Sequence, residues 1–237
     1  MKAIALTRYL PISDPQSLVD VELPKPSPLK NDLLVRVEAV SVNPVDTKVR
    51  APKEKVEPEP KVLGWDAAGV VEAVGNAVTR FKVGDEVYYA GDVTRAGCNA
   101  QFQAVDERIV GRKPNALSFA EAAALPLTTI TAWETLFDRL GLDFEKGGRD
   151  RTLLIIGGAG GVGSIAIQLA KIAGLTVFAT ASRPETVKWV LGLGADEALD
   201  HRKPLPAQLN SWAVLQNISS IDLKPSLITP KPTIEVG

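Results

Sequence analysis

The amino-terminal half of the chain alternates apolar and polar positions as β-strands do. Across Leu33 to Val42, valines lie on one face and Arg36 and Glu38 on the other, which is the two-residue period of a half-buried strand. Two further apolar runs, Val70 to Val74 and Phe81 to Tyr89, are ended or broken by glycine-containing turn signals. This spacing predicts a small, mostly β, barrel-like domain.

One segment of this half departs from the pattern. Ala51 to Lys61 is charged and rich in proline. Because each proline removes a backbone hydrogen-bond donor, the sequence predicts a surface loop here rather than a strand.

Helical spacing begins near Ser118. Ser118 and Glu121 form a predicted capping box, and Thr131 to Leu140 continues with apolar residues at helical intervals. Strand and helix then alternate, over Leu153 to Ile156, Ser164 to Ala173, Thr176 to Ala181 and Ser182 to Leu193. This order predicts a parallel α/β unit, with a second capping box at Ser182 and Glu185 and a C-cap at Gly194. After Asp200 prolines dominate, so only two strands are predicted for this unit.

Composition narrows the class of partner. The 237 residues carry 27 basic and 28 acidic side chains and are 45% hydrophobic, so a folded core is expected and no footprint for nucleic acid stands out. The single cysteine, Cys98, excludes an intramolecular disulfide and favours a reducing compartment, by default the cytoplasm. Leu153 to Ala170 is uncharged over about the length of a membrane span, but glycines crowd its middle, so we predict no membrane segment.

The main chemical signal is a Gly-rich turn between a predicted strand and a predicted helix. Backbone N–H groups and the positive end of a helix dipole can hold a pyrophosphate at such a turn, although similar turns also occur without nucleotides. The predicted cofactor-binding residues are Gly158, Ala159, Gly160, Gly161, Val162 and Gly163.

The end of the second predicted strand indicates which dinucleotide binds. NAD sites place an acidic residue there, whereas this chain has Ser182 and Arg183, which can donate hydrogen bonds to a 2′-phosphate. NADPH is therefore the predicted cofactor. Lys188 either adds charge on the same side or is a solvated helix lysine. His201 lies near the adenosine end or in a surface loop.

Five segments resemble successive landmarks of the medium-chain dehydrogenase/reductase superfamily, in its quinone-oxidoreductase and zinc-type alcohol-dehydrogenase-like branch. The likeness covers Met1 to about Leu209, and the segments are Val42 to Lys48, Leu63 to Gly69, Val83 to Val87, Ala124 to Trp133 and Gly158 to Gly163. The resemblance implies a GroES-like, mostly β catalytic domain at 1–125, then a partial Rossmann (parallel βαβ) NADP-binding domain at 126–209, with substrate between them. Residues 210–237 form an atypical tail.

The same resemblance implies a zinc-free member. Asn43 and Trp65 stand where zinc-dependent relatives carry a cysteine and a histidine ligand, and Cys98 alone cannot form a four-cysteine site. Without a Lewis acid for a simple alkoxide, hydride transfer from NADPH to a quinone or an α,β-unsaturated carbonyl is the expected reaction.

By similarity, Asn43 lines the substrate cleft and Thr131 approaches the nicotinamide, while Asp46 and Asp66 are structural. Asn43 can equally be a turn residue before its proline.

Most of the second half of a Rossmann domain is not recognisable, including the edge strand commonly used for homodimers. Two hypotheses therefore remain. The first is a working NADPH-dependent reductase. The second is a truncated, inactive homologue that binds nucleotide or a partner protein.

Overall fold

The computed structural model describes residues 1–145, 148 and 151–209, together with the backbone of 218–222. The chain divides into two compact units, Met1–Leu127 and Thr128–Gly237. The two units differ in architecture and are described in turn.

The first unit is mostly β. Its helices are α1 (Pro44–Arg50) and α2 (Phe119–Ala123), and its strands are β1 (Lys2–Tyr9), β2 (Val19–Glu22), β3 (Asp32–Ser41), β4 (Lys53–Val62), β5 (Asp66–Val74), β6 (Glu86–Ala90), β7 (Phe102–Asp106) and β8 (Val110–Arg112). They form a three-stranded sheet in the order β2-β1-β4 and a five-stranded sheet in the order β7-β3-β5-β6-β8. All the pairings are antiparallel.

The alternation predicted for β3 is confirmed. Val35 is fully buried, whereas Arg36 and Glu38 are exposed. The buried side chains of this sheet form the main core of the unit, with Leu33, Val35, Val71, Val87, Tyr89 and Val105 among them.

The predicted loop at Ala51 to Lys61 is wrong. Lys53–Val62 is the edge strand β4, antiparallel to β1, and the register of the pair shifts twice between Leu6 and Tyr9. Because an edge strand pairs on one side only and bulges interrupt that pairing, it uses fewer backbone N–H groups than a central strand, and prolines are tolerated in it.

The second unit is a parallel α/β structure. Its strands are β9 (Thr152–Ile156), β10 (Thr176–Thr180), β11 (Glu197–Leu199) and β12 (Ile218–Asp222), in the order β11-β10-β9-β12 and all parallel. Its helices include α4 (Gly161–Ile172), α5 (Pro184–Gly192) and α6 (Leu205–Leu209). The helix α3 (Pro126–Trp133) leads into the unit and continues as a π-helix at Glu134–Arg139, which confirms the helical spacing predicted there.

The prediction of only two strands in this unit is wrong. β11 was missed because it has three residues, and β12 because its segment, Ile218–Asp222, contains two serines and an aspartate. The observed order is that of the first half of a Rossmann sheet plus one strand beyond its switch point. The other residues of the predicted tail, 210–217 and 223–237, lie outside the described residues.

The helix ends test three further predictions. The capping box of Ser118 and Glu121 is confirmed, as is the left-handed conformation of Gly194, whose φ is +104°. The box predicted at Ser182 is wrong: Arg183 is the N-cap of α5, and its N–H donates to Thr186 Oγ1 at 3.2 Å. Proline at the first position of α5 fixes this start. Within the described residues, no helix is both long and apolar enough to cross a membrane.

Candidate dinucleotide site and the buried carboxylates

The Gly-rich turn joins β9 to α4, as predicted. Gly160 is the N-cap of α4, with extended backbone angles, and its carbonyl oxygen accepts the N–H of Ser164 at 2.8 Å. An α-helix leaves the N–H groups of its first turn without an intrahelical acceptor. Here these groups belong to Gly161, Val162 and Gly163, and they are the groups that a pyrophosphate would use.

Three glycines of the turn are required by conformation or by packing. Gly157 has a φ of +77°, a backbone conformation that other residues rarely adopt. A Cβ on Gly158 would lie 2.7 Å from the Cβ of Ala179, and one on Gly163 would lie 2.5 Å from the carbonyl oxygen of Gly157. These glycines allow the strand, the turn and the helix to pack closely. The sequence prediction did not include Gly157.

Gly160 and Gly161, which lie between Gly158 and Gly163, are less tightly packed. A Cβ on Gly160 would meet only the carbonyl oxygen of Gly157, at 3.3 Å, and one on Gly161 only Thr128 Cγ2, at 3.1 Å. Both glycines are exposed, so the surface beside the first turn of α4 carries no side chain at these positions. We call this open surface the cradle, and a phosphate can approach the first-turn N–H groups across it.

Thr180, at the end of β10, holds the start of the turn and was not predicted. The N–H of Gly157 donates to Thr180 Oγ1 at 2.8 Å, and the N–H of Gly158 donates to the Thr180 carbonyl oxygen at 3.2 Å. Thr180 is only 2% exposed. A threonine in a strand is ordinary in sequence, so no signal distinguished it.

Polar and basic side chains gather just after β10. Ser182 Oγ lies 3.4 Å from Nε2 of His201, and Arg202 Nη2 donates to the Ser182 carbonyl oxygen at 2.8 Å. The structure thus places His201 beside Ser182. Arg183 pairs with Glu185, with 3.0 Å between Nε and Oε1, and both side chains are about two-thirds exposed.

Lys188 lies elsewhere on α5. With Glu185, Trp189, Gly192 and Leu193 it lines a surface depression of about 300 Å³ that includes neither Ser182 nor Arg183. Its assignment to the cofactor site stays a prediction.

In the first unit, Asn43 belongs to a buried hydrogen-bond network. It is the N-cap of α1, and its N–H donates to Asp46 Oδ2 at 2.6 Å. Its side-chain Nδ2 donates to Asp66 Oδ2 at 3.0 Å, and the N–H of Leu127 donates to Asp66 Oδ1 at 3.1 Å. Asn43 is 7% exposed and Asp66 is fully buried.

Burial dominates the electrostatics of this network. Loss of hydration raises the pKa of Asp66 to about 6, against the lowering effect of the bonds from Asn43 and Leu127, and the nearby Asp46 raises it further. Burial also raises the pKa of Asp46. The thiol of Cys98, buried beside the Asp66 backbone, has its pKa raised to about 12 chiefly by loss of hydration.

The network does not fit a zinc ion. Among the described residues, no group of three or more histidine, cysteine, aspartate or glutamate side chains is arranged to hold a metal. Trp65 is 1% exposed and packs in an apolar cluster with Leu6, Tyr9 and Leu63. The groups bonded to the Asp66 carboxylate are the Asn43 amide and the Leu127 N–H, which are not zinc ligands. The neighbours of Asp66 that could ligate zinc are Asp46 and Cys98, and they do not form a metal-holding group with a further ligand.

The second predicted catalytic residue, Thr131, lies on α3 and is half-buried. Its carbonyl oxygen accepts the hydroxyl of Thr135 at 2.6 Å. Asn43 and Thr131 fall in different units, and their catalytic roles stay predictions.

Comparisons with known proteins agree with both units. The model of the alcohol dehydrogenase GroES-like domain matches residues 29–133, and that of the zinc-binding dehydrogenases matches 161–213. A zinc-type alcohol dehydrogenase-like protein of Staphylococcus epidermidis is 45% identical over 88% of this chain and 62% of its own length. A Rhizobium etli structure classed as a zinc-dependent alcohol dehydrogenase is 55% identical, with a TM-score of 0.85 over 93% of this chain and 65% of that one.

A third structure, the Escherichia coli quinone oxidoreductase complexed with NADPH, is 27% identical, with a TM-score of 0.73 over 90% of this chain and 63% of that one. An NAD-dependent alcohol dehydrogenase, 67% of which this chain covers, is 32% identical.

A GroES-like domain followed by a Rossmann-like sheet with a glycine-rich first turn defines a nicotinamide-dependent class of oxidoreductases. The chain belongs to the medium-chain dehydrogenase/reductase superfamily, in which its relatives are zinc-type alcohol dehydrogenase-like proteins and quinone oxidoreductases. The chain spans 62% of the length of the first curated relatives, which is a little under two-thirds.

Proposed function

We propose that this protein is an NADPH-dependent oxidoreductase that reduces a quinone or an α,β-unsaturated carbonyl without zinc. The observation that carries the proposal is the open cradle at Gly160 and Gly161, above the first-turn N–H groups of α4. The quinone oxidoreductase with bound NADPH among the similar structures supports it. In this proposal residues 1–125 are the catalytic domain, and 126–209 together with strand β12 form the NADP-binding domain.

The preference for NADPH over NADH is assigned to Ser182, Arg183 and His201. The Arg183–Glu185 pair is exposed, and such pairs contribute only about 0–1 kcal/mol, so Arg183 can exchange it for a phosphate at small cost. A guanidinium binds a phosphate through two parallel hydrogen bonds. An acidic residue in the place of Arg183 would instead repel the 2′-phosphate.

Bound NADPH supplies the hydride, and the chain supplies orientation and hydrogen bonds. A side-chain amide carries two N–H donors. The bond to Asp66 uses one donor of Asn43, and we assign the other to the substrate oxygen on which negative charge develops. Asp66 fixes the direction of that amide, and Thr131 is assigned to contact the nicotinamide.

A second candidate is a nucleotide-binding or interaction protein without turnover. The observation that favours it is that the 237 residues span 62% of the length of the curated relatives. A homodimer is compatible with either function.

Titration of the 237-residue protein with NADPH and NADH tests the cofactor assignment. Arg183→Ala should weaken NADPH binding roughly tenfold, the value of a lost charge-assisted hydrogen bond, and leave NADH binding unchanged. Arg139→Ala, an exposed arginine of the π-helix, is the matched control and should change neither. Equal affinities for the two dinucleotides, unaffected by Arg183→Ala, would remove the assignment.

Turnover is tested separately. Oxidation of NADPH should accelerate with a panel of quinones and enones, and metal analysis of the active protein should find no stoichiometric zinc. If NADPH binds but no substrate gives a rate above background, the second candidate replaces the first. One zinc per chain would overturn the zinc-free assignment.

A further inference from the structure

Thr180 lies one residue beyond the point where β9 and β10 stop pairing. The ladder between those strands ends at Ile155 and Ala179, whereas on its other side β10 still pairs Thr180 with Leu199. On the β9 side, Thr180 bonds to the turn itself. Its hydroxyl oxygen and its carbonyl oxygen accept the consecutive N–H groups of Gly157 and Gly158.

These bonds sort the N–H groups of the turn into two sets. The N–H groups of Gly157 and Gly158 donate to Thr180, and that of Gly160 donates to the carbonyl oxygen of Gly157 at 3.0 Å. The first-turn groups at Gly161, Val162 and Gly163 remain for a ligand. Holding the first set therefore fixes the direction in which the second set points.

Thr180 ends an otherwise apolar stretch of β10, in which Val177, Phe178 and Ala179 are at most 1% exposed. Valine has the same branched shape as threonine and would fill the same volume. Serine lacks the methyl group but retains the oxygen that accepts the Gly157 N–H.

We propose that Thr180 is a positioning residue for the dinucleotide: by holding Gly157 and Gly158 it presents the N–H groups of Gly161 and Val162 to the pyrophosphate. The inference rests on the proposed function, since it names the residue that shapes the same site. It acts on binding and requires no turnover.

The test compares NADPH affinity in Thr180→Val and Thr180→Ser by fluorescence titration, with thermal unfolding measured in parallel. The valine variant should bind NADPH roughly five- to tenfold more weakly, the worth of a neutral hydrogen bond, and the serine variant within about twofold of wild type. Thr176→Val makes the same chemical change at the other end of β10 and should leave the affinity unchanged.

The outcomes separate the two proposals. If wild type does not bind NADPH, the proposed function fails. If wild type binds and Thr180→Val binds equally well, or if the serine variant is as weak as the valine variant, the positioning role is overturned, because packing rather than the oxygen then governs the site.

A measurement on wild type covers the case in which Thr180→Val does not fold. Amide hydrogen exchange should show Gly157 and Gly158 protected before NADPH is added, and Gly161 and Val162 protected only afterwards. Protection of Gly157 that appears only with NADPH would overturn the proposal.

Discussion

Replacing Asp66 by asparagine should change how the stability of the protein depends on pH. Asp66 is fully buried, and burial raises its pKa from an ordinary 3.8 to about 6. Because its pKa is higher in the folded than in the unfolded chain, the folded state binds this proton more tightly. The stabilisation is fully present below about pH 4 and is lost as pH rises through about 6.

The size of the effect follows from that rise. One pKa unit corresponds to about 1.4 kcal/mol, so the ionised carboxylate costs the folded state about 3 kcal/mol, of which about 2 kcal/mol develops between about pH 4 and 7. Asparagine cannot ionise. Its amide nitrogen can face Asn43, whose own amide can turn to accept the bond.

The assay is urea unfolding of wild type and Asp66→Asn across this pH range. The difference in free energy of unfolding, variant minus wild type, should increase by about 2 kcal/mol as the pH is raised from about 4 to about 7. Asp106→Asn is the matched control: the hydrogen bonds from Arg108 lower the pKa of Asp106 to about 2, so its effect falls below this range. Parallel curves for wild type and Asp66→Asn would refute the reasoning.

Three further changes are expected to be measurable. Gly157→Ala should lower the free energy of unfolding, measured with urea, by about 1–2 kcal/mol, because alanine resists the positive φ of +77° at this position. Gly192→Ala, within α5, is the control and should not destabilise the protein. Equal effects of the two substitutions would contradict this reasoning. A thiol reagent should label Cys98 only after unfolding, because burial raises the pKa of its thiol to about 12. Prompt labelling of the folded protein would contradict this expectation. Ser118→Ala should lower the stability of the fold by about 1 kcal/mol because it removes the N-cap of α2, whereas Ser118→Asn keeps a capping side chain and should not. Thermal unfolding compares the two variants, and equal melting temperatures would count against the cap.

Elements with a strong period were predictable from sequence, and elements that break their period were not. β3 alternates and β9 is a short apolar run before glycines, so both were predicted close to their observed bounds. β4 was missed because its prolines suggest a loop until the bulged edge pairing is known. β12 has few apolar residues, and only its pairing with β9 reveals it as a strand.

The candidate site shows the same division. The glycine spacing located the turn, because tight packing and an open helix start both require glycine. It did not show which N–H groups the turn uses internally, since that depends on Thr180, more than twenty residues away in sequence. Likewise, the buried contact between Asn43 and Asp66 joins two segments whose meeting no local pattern predicts.

The pairing of β12 with β9 makes β9 an interior strand. All five residues of β9 are in register with β12 on one side, and β10 lies on the other. The Gly-rich turn therefore emerges from a backbone held along both flanks, which limits local fraying near the phosphate cradle. A shortened chain that ends at Leu209 would expose one flank of β9 to solvent and to other chains, and self-association through that flank is the expected consequence.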